Sequence, residues 1–230
     1  MPVEPPVEKT PHAVRDGRST RWDPHRRERR LSIINAAIAA IEDHGPDVLT
    51  AQIADRAGVP RTHVYRHFDG KPALDLAVST HVANQLGQSI RSGLTGGGTA
   101  MAIIGGAIDQ HLAWVEAHPN LYRFLAQHSY RVSTDSLGSA GDAKSVFAAE
   151  LTALISAYMV ALGLDTEPAE RVMVGVVGLV DATAAWWLDR SDLSRAAVTA
   201  ELTEAVWLLL DRTTRQLGLE LDPNQPLPTI

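Results

Sequence analysis

The stretch from residue 50 to residue 71, TAQIADRAGVPRTHVYRHFDGK, constrains this chain most. Gly58 and Pro60 stand between two short runs with helical spacing, so the segment reads as two helices and a sharp turn. The first helix is expected over about residues 50–57, with Ile53, Ala54 and Ala57 on one face. Thr50 is placed to cap it, its hydroxyl accepting from a backbone N–H one turn on. Gly58 supplies the left-handed conformation in which a helix can stop and turn. Pro60 suits the first position of the second helix, where its missing N–H is of no consequence. That helix continues to about Phe68, with Val64 and Phe68 facing inward. Its other face carries Arg61, Thr62, His63, Tyr65, Arg66 and His67.

Two helices of this size around a glycine-containing turn match the helix-turn-helix pattern. Ala54 is small enough to let them cross closely, which frees the second helix to lie in the major groove of DNA. Arg61 can donate twice to guanine, Thr62 and His63 can reach base edges or phosphate, and Tyr65 can bond a phosphate. Asp69 can cap a following helix, leaving Lys71 in its first turn, where it could meet a phosphate beside free N–H groups.

At these residues the chain resembles a known family. The run Ala54…Ala57-Gly58-Val59…Val64-Tyr65-Arg66-His67-Phe68…Lys71…Leu74 is similar to the N-terminal domain of the TetR family of transcriptional repressors, and the likeness covers about residues 28–75. Pro60 departs from it, since the family often has serine or threonine there; that removes a side-chain cap and a phosphate contact, but not the helix start. The resemblance implies an all-α fold of about nine helices: a three-helix DNA-binding domain, then a helical ligand-binding and dimerisation domain. It also implies a dimer through the last two long helices and a small-molecule effector.

Charge agrees with a DNA-binding head only once the chain is split. The net charge is −6, yet residues 1–75 carry 12 Lys/Arg against 11 Asp/Glu, and residues 76–230 carry 9 against 16. Seven arginines lie between Arg15 and Arg30, beside Asp16, Asp23 and Glu28. Such a local patch attracts phosphates, although a solvated basic tail has the same composition. The chain has no cysteine, which excludes disulfides and thiolate zinc sites and suits a reducing cytoplasm. The N-terminus lacks an apolar signal core, and the longest apolar run, residues 172–188, contains Asp181 and is short for a bilayer. A cytoplasmic protein without a membrane span, metal or cofactor is expected.

In chain order, residues 1–24 read as a disordered basic arm, residues 25–70 as the DNA-binding domain and residues 71–92 as a connecting helix. Residues 92–99, SGLTGGGT, are the clearest break. Residues 99–220 read as all helix: a fifth over about 100–117, a sixth to about 127, a seventh over 143–162, an eighth over 167–190 and a ninth over 193–217. Residues 129–142 read as a loop, and residues 221–230, with three prolines, as a frayed tail.

Gly175, Gly178, Ala182 and Ala185 form a small-residue stripe on the eighth helix, open to packing within one chain or to a dimer seam with the ninth. The dimer is favoured, because a two-fold dimer presents two recognition helices to the half-sites of a near-palindromic operator. The fifth to eighth helices are the expected ligand compartment. Ile108, Leu112, Leu125, Phe147, Leu151, Ile155, Tyr158 and Asp181 are its candidate contacts. Each apolar residue is individually a good core residue; as a set they can enclose a cavity for a fatty acid, an acyl-CoA or another hydrophobic compound. Gly105-Gly106 either allows close packing or leaves room for a ligand. Asp109, Arg123 and Tyr130 are further polar groups near this apolar ground. Two other functions compete with a repressor. A helical adaptor would keep the fold without DNA binding. A metal enzyme could use His63 and His67, four apart, but no Glu stands between them and no third ligand follows.

Overall fold

The computed structural model describes residues 17–94, 97–135, 143–190 and 192–228. Among them are nine helices: α1 (Gly17–His44), α2 (Thr50–Ala57), α3 (Arg61–His67), α4 (Gly70–Leu94), α5 (Ala100–Ala117), α6 (Pro119–Asp135), α7 (Ala143–Ala161), α8 (Ala169–Leu188) and α9 (Arg195–Gln216). The only bridge described outside helices pairs Thr99 with Pro226.

Local chemistry sets most of the boundaries. Thr99 caps α5, its hydroxyl accepting from the Ala102 N–H at 3.2 Å, and Ser194 caps α9 in the same way through Ala197. Pro119 opens α6 directly after His118, the residue that follows the end of α5 at Ala117. The turn between α2 and α3 is made by Gly58 at φ 64° and ψ 33°. Its N–H bonds the Asp55 carbonyl at 3.1 Å, and the Val59 N–H reaches back to Ala54, also at 3.1 Å.

Two hydrophobic cores result. The head core joins Ile33, Ala37, Ile41, Ile53, Val64 and Phe68 to Leu74, Val78 and Val82 of α4 and to Leu121 and Phe124 of α6. The second core joins Ile108, Leu112 and Val115 of α5 to Tyr122 of α6, Ala184 and Trp187 of α8 and Val198, Leu202 and Val206 of α9. Helix α6 therefore belongs to both cores, and α4, buried in the head core at its start, packs against α5 and α7 of the second half. The halves are also latched: the His118 imidazole meets the Glu42 carboxylate at 2.6 Å, and Asn120 donates to the Glu42 carbonyl at 2.8 Å. Helices α5 and α9 cross where α5 has no side chain: a Cβ on Gly105 would stand 3.3 Å from Thr203 Oγ1. Close packing is thus the role of Gly105, whereas Gly106 meets nothing within 4 Å.

Several expectations shift. The first helix begins at Gly17, inside the expected disordered arm, so residues 17–23 of that arm are helical. Nothing between Arg18 and Asp23 opposes a helix, and Pro24 forgoes one backbone bond inside it. Residues 1–16 lie outside the described residues. Helix α6 runs to Asp135 through part of the expected loop, because no Gly or Pro interrupts residues 129–135; residues 136–142 lie outside the described residues. The described part of the tail, residues 221–228, is not frayed, and residues 229–230 lie outside the described residues. The Leu227 N–H bonds the Gly98 carbonyl at 2.9 Å, and the Met101 N–H reaches the Pro223 carbonyl at 3.4 Å. Prolines that cannot form a helix can still lie extended against the start of α5. The caps also move by one residue: Leu49 precedes α2, its N–H held by the Gln52 side chain at 2.8 Å, while Thr50 is buried. Pro60, at φ −60° and ψ 145°, precedes α3 instead of opening it.

Candidate DNA-reading face and ligand cavity

Helix α3 is pinned by Val64, which is fully buried, and by Phe68 just beyond its end. That leaves Arg61, Thr62, Tyr65 and Arg66 exposed on one face, with Pro60 exposed before them and His63 and His67 half-buried. Arg61 donates to the Tyr65 hydroxyl at 3.0 Å, and its guanidinium lies 5.5 Å from the Tyr65 ring centroid. Thr50, buried at the start of α2, is the other partner of that hydroxyl, and the Thr50 and Arg61 bonds together pull it below the usual phenol range. The His63 and His67 rings are 5.1 Å apart and tilted by 55°. Burial, then His63 and the arginines Arg26, Arg29 and Arg30 of α1, hold the His67 imidazole below its usual pKa. Arg30 donates to the His67 carbonyl and stacks on Phe68, 4.1 Å from its centroid. The basic end of α1 thus flanks α3, which the arginine-rich sequence hinted at without fixing a side. Lys71 is engaged by Asp75 at 2.5 Å, so it would have to exchange that partner to meet a phosphate. Among the described residues no cluster of three or more His, Cys, Asp or Glu is placed to hold a metal.

The second feature is a cavity of about 590 Å³ in the helical domain, within the range of small-molecule sites. Of the expected contacts, Ile108, Leu125, Leu151, Ile155, Tyr158 and Asp181 line it. Leu112 does not: it is 0% exposed, one turn from Ile108, and faces the core between α5 and α9. The Phe147 and Tyr130 side chains lie outside the described residues. Sequence reasoning missed the α4 wall (Ala83, Leu86, Ile90), the α9 wall (Trp207, Leu210, Thr213) and Leu221 and Leu227 of the tail. An apolar residue on an amphipathic helix carries no mark that separates core from cavity.

The cavity wall is mostly apolar, its polar groups being His111, Tyr122, Asp181, Tyr158, Thr213 and Thr214. The Tyr122 hydroxyl donates to the Asp181 main-chain carbonyl at 2.9 Å and to its carboxylate at 3.1 Å. Burial, followed by the Asp181 charge, drives the Tyr122 pKa far above the usual phenol range, so the group stays a neutral donor. His111 lies edge-on to the Tyr122 ring at 6.4 Å. Tyr158 donates to the Leu94 carbonyl at 3.1 Å, at the end of α4. Asp109 and Arg123 instead form pairs outside the cavity, Asp109 with Arg195 and Arg123 with Asp189, each at 2.9 Å.

A basic helix-turn-helix head joined through shared helices to an all-α domain with an apolar chamber defines a one-chain DNA-binding regulator. Residues 33–78 match the family described as bacterial regulatory proteins, tetR family, and residues 89–219 match the tetracyclin repressor-like C-terminal domain. The chain belongs to the TetR family. It is similar to an HTH-type transcriptional regulator of Mycobacterium tuberculosis, with 28% identity over 216 residues, 93% of this chain and 91% of that one. It is also similar to the HTH-type transcriptional activator FasR of Mycolicibacterium smegmatis, at 27% over 165 residues, 71% of this chain and 74% of FasR. Two solved structures share the fold: a tetR-family regulator of Streptomyces coelicolor (TM-score 0.64, 22% identity, 84% of this chain and 86% of that one) and FadR of Bacillus subtilis in complex with stearoyl-CoA (TM-score 0.57, 18% identity, 76% and 96%). The protein is a transcription regulator and not an enzyme.

Proposed function

We propose that the protein is a cytoplasmic repressor that binds a near-palindromic operator as a homodimer and is released by a small lipophilic effector. The observation that carries this reading is the apolar chamber, because its walls are built from the helices that also hold the head. Leu86 and Ile90 of α4 and Leu125 of α6 line the chamber, while Leu74 and Val78 of α4 and Leu121 and Phe124 of α6 are buried in the head core. A ligand that displaces α4 or α6 shifts the head, and an effector that prefers the shifted state weakens operator binding by the same factor that operator weakens effector binding. On this reading Arg61, Thr62, His63, Tyr65, Arg66 and His67 meet DNA, with Thr50, Pro60 and Lys71 at its edge. Ile108, Leu125, Leu151, Ile155, Tyr158 and Asp181 meet the effector.

The dimer is supported by what α8 leaves uncovered. Among the described residues α8 is the one helix long and apolar enough to cross a bilayer, yet only 22% of it is buried. Val174 and Trp186 of α8 and Leu208 and Leu209 of α9 are exposed, and nothing stands within 4 Å of a Cβ at Gly175, whereas Gly178, Ala182 and Ala185 of the expected stripe line the chamber instead. A second copy supplying the same two helices covers this surface. FadR, crystallised with stearoyl-CoA, shows that a long acyl thioester fits one protein of this fold.

The test is a fluorescence-anisotropy titration of the purified protein on its own promoter DNA, repeated with long-chain alcohols, thioesters and fatty acids. Binding that saturates at one dimer per half-site pair, and is reversed by a long-chain compound, supports the reading. Operator binding that an effector strengthens would overturn the release mechanism.

A further inference from the structure

Resting on the lipophilic-effector reading, we infer that the C-terminal tail is the end wall of the chamber, and that Leu221 and Leu227 set the longest linear chain it accepts. The chamber runs along α5, whose part of the wall extends from Ala100 to Trp114. At a rise of about 1.5 Å per residue that is about 21 Å. Helix α9 lies antiparallel to α5. Arg195, at its start, pairs with Asp109 and Glu116, and Thr203 stands against Gly105, so α9 ends beside the start of α5. Past Gly218, at φ 87°, the chain leaves α9 and is laced across that end of the chamber. The Leu227 N–H bonds the Gly98 carbonyl at 2.9 Å, the Met101 N–H bonds the Pro223 carbonyl at 3.4 Å, and Thr99 bridges to Pro226. Main-chain bonds fix this strap, which leaves the Leu221 and Leu227 side chains to the chamber they line.

The polar groups of the wall fall into two sets. At the strap end, hydroxyls donate to main-chain carbonyls: Tyr158 to Leu94 at 3.1 Å, Thr213 to Leu209 at 2.9 Å and Thr214 to Asp211 at 3.0 Å. His111, Tyr122 and Asp181 belong to the opposite end, beside the last turns of α5. A linear amphiphile therefore lies with its polar end toward that second set and its apolar end against the strap. Each methylene it buries raises affinity roughly fourfold. Once the chain end meets Leu221 and Leu227, a further methylene must buckle the chain or push the strap away, and the gain stops.

The experiment titrates the full-length protein with primary alcohols from hexanol to hexadecanol, delivered from cyclodextrin, and reads tryptophan fluorescence, since Trp114 and Trp207 stand in the chamber wall. Affinity is expected to climb roughly fourfold per carbon and then level off at one chain length. Leu227→Ala should move that break to longer chains by about three carbons, the number a leucine loses on becoming alanine. Leu227→Phe should move it to shorter chains, and it decides the matter if the alanine variant does not fold. Operator affinity without alcohol checks that each variant is intact. A wild-type series with no break, or a break at the same length in both variants, overturns the inference and leaves the lipophilic-effector reading standing. If no alcohol binds a protein that still binds its operator, that reading falls, and the inference with it.

Discussion

Leu208 offers the sharpest test of the proposed assembly. It lies on α9 with 61% of its surface exposed, so replacing it with Glu leaves the folded protomer nearly untouched. Leu and Glu have similar helix propensities, so α9 itself keeps its stability. In a two-fold dimer the same residue is used twice. Fully burying a leucine is worth about 1.5–3 kcal/mol, so covering the exposed fraction gives about 1–2 kcal/mol per copy and about 2–4 kcal/mol per dimer. A glutamate there adds the cost of desolvating two carboxylates at the seam. Leu208→Glu should therefore weaken dimerisation by at least about 30-fold. Sedimentation equilibrium reads the dissociation constant, and far-UV circular dichroism checks that the protomer is intact. Operator affinity should fall in parallel, because a lone protomer contacts one half-site. An intact, monodisperse dimer with wild-type operator affinity would refute the α8–α9 seam and the reasoning that α8 is covered by a second copy.

Arg61→Ala should cost about 1–3 kcal/mol of operator affinity and relax base preference at one position, whereas Tyr65→Phe should weaken all sequences about equally; anisotropy on an operator panel separates the two. Phe124→Ala should destabilise the head by about 3–5 kcal/mol in a urea titration, although Phe124 belongs to the effector-side helix α6, because the ring is completely buried in the head core. His67 has a folded pKa held below its unfolded value of about 6.5. Its neutral form is favoured in the folded state, so the head is most stable above that value and loses stability as pH falls through it. Thermal melts between pH 8 and pH 5.5 should show the decline, and His67→Gln should flatten it.

The helix-turn-helix was legible in sequence because its signals are local: Gly58 needs the left-handed turn it adopts, and Val64 and Phe68 are the inward residues of a helix too short to hide them elsewhere. The all-α fold was legible for the same reason, as caps and breakers such as Thr99, His118-Pro119 and Ser194 act within a turn. Sidedness was not. Ile108 and Leu112 stand four apart on α5 and share one core, yet only Ile108 also lines the cavity, a distinction set by where α8 and α9 lie. Leu221 and Leu227 show the same limit, since nothing in a proline-rich tail announces that Gly98 and Met101 will receive it. Thr50 reads as a cap by residue type, but Leu49 precedes the helix, held by Gln52, and Thr50 is buried in its first turn.

The sharing of α6 between two cores also decides where this chain can be cut and rejoined. Splicing its head onto another sensor at the glycine-rich break would leave Leu121 and Phe124 behind and open a hole where they sat. A working hybrid must carry the first turns of α6, with His118 and Asn120, along with the head they close.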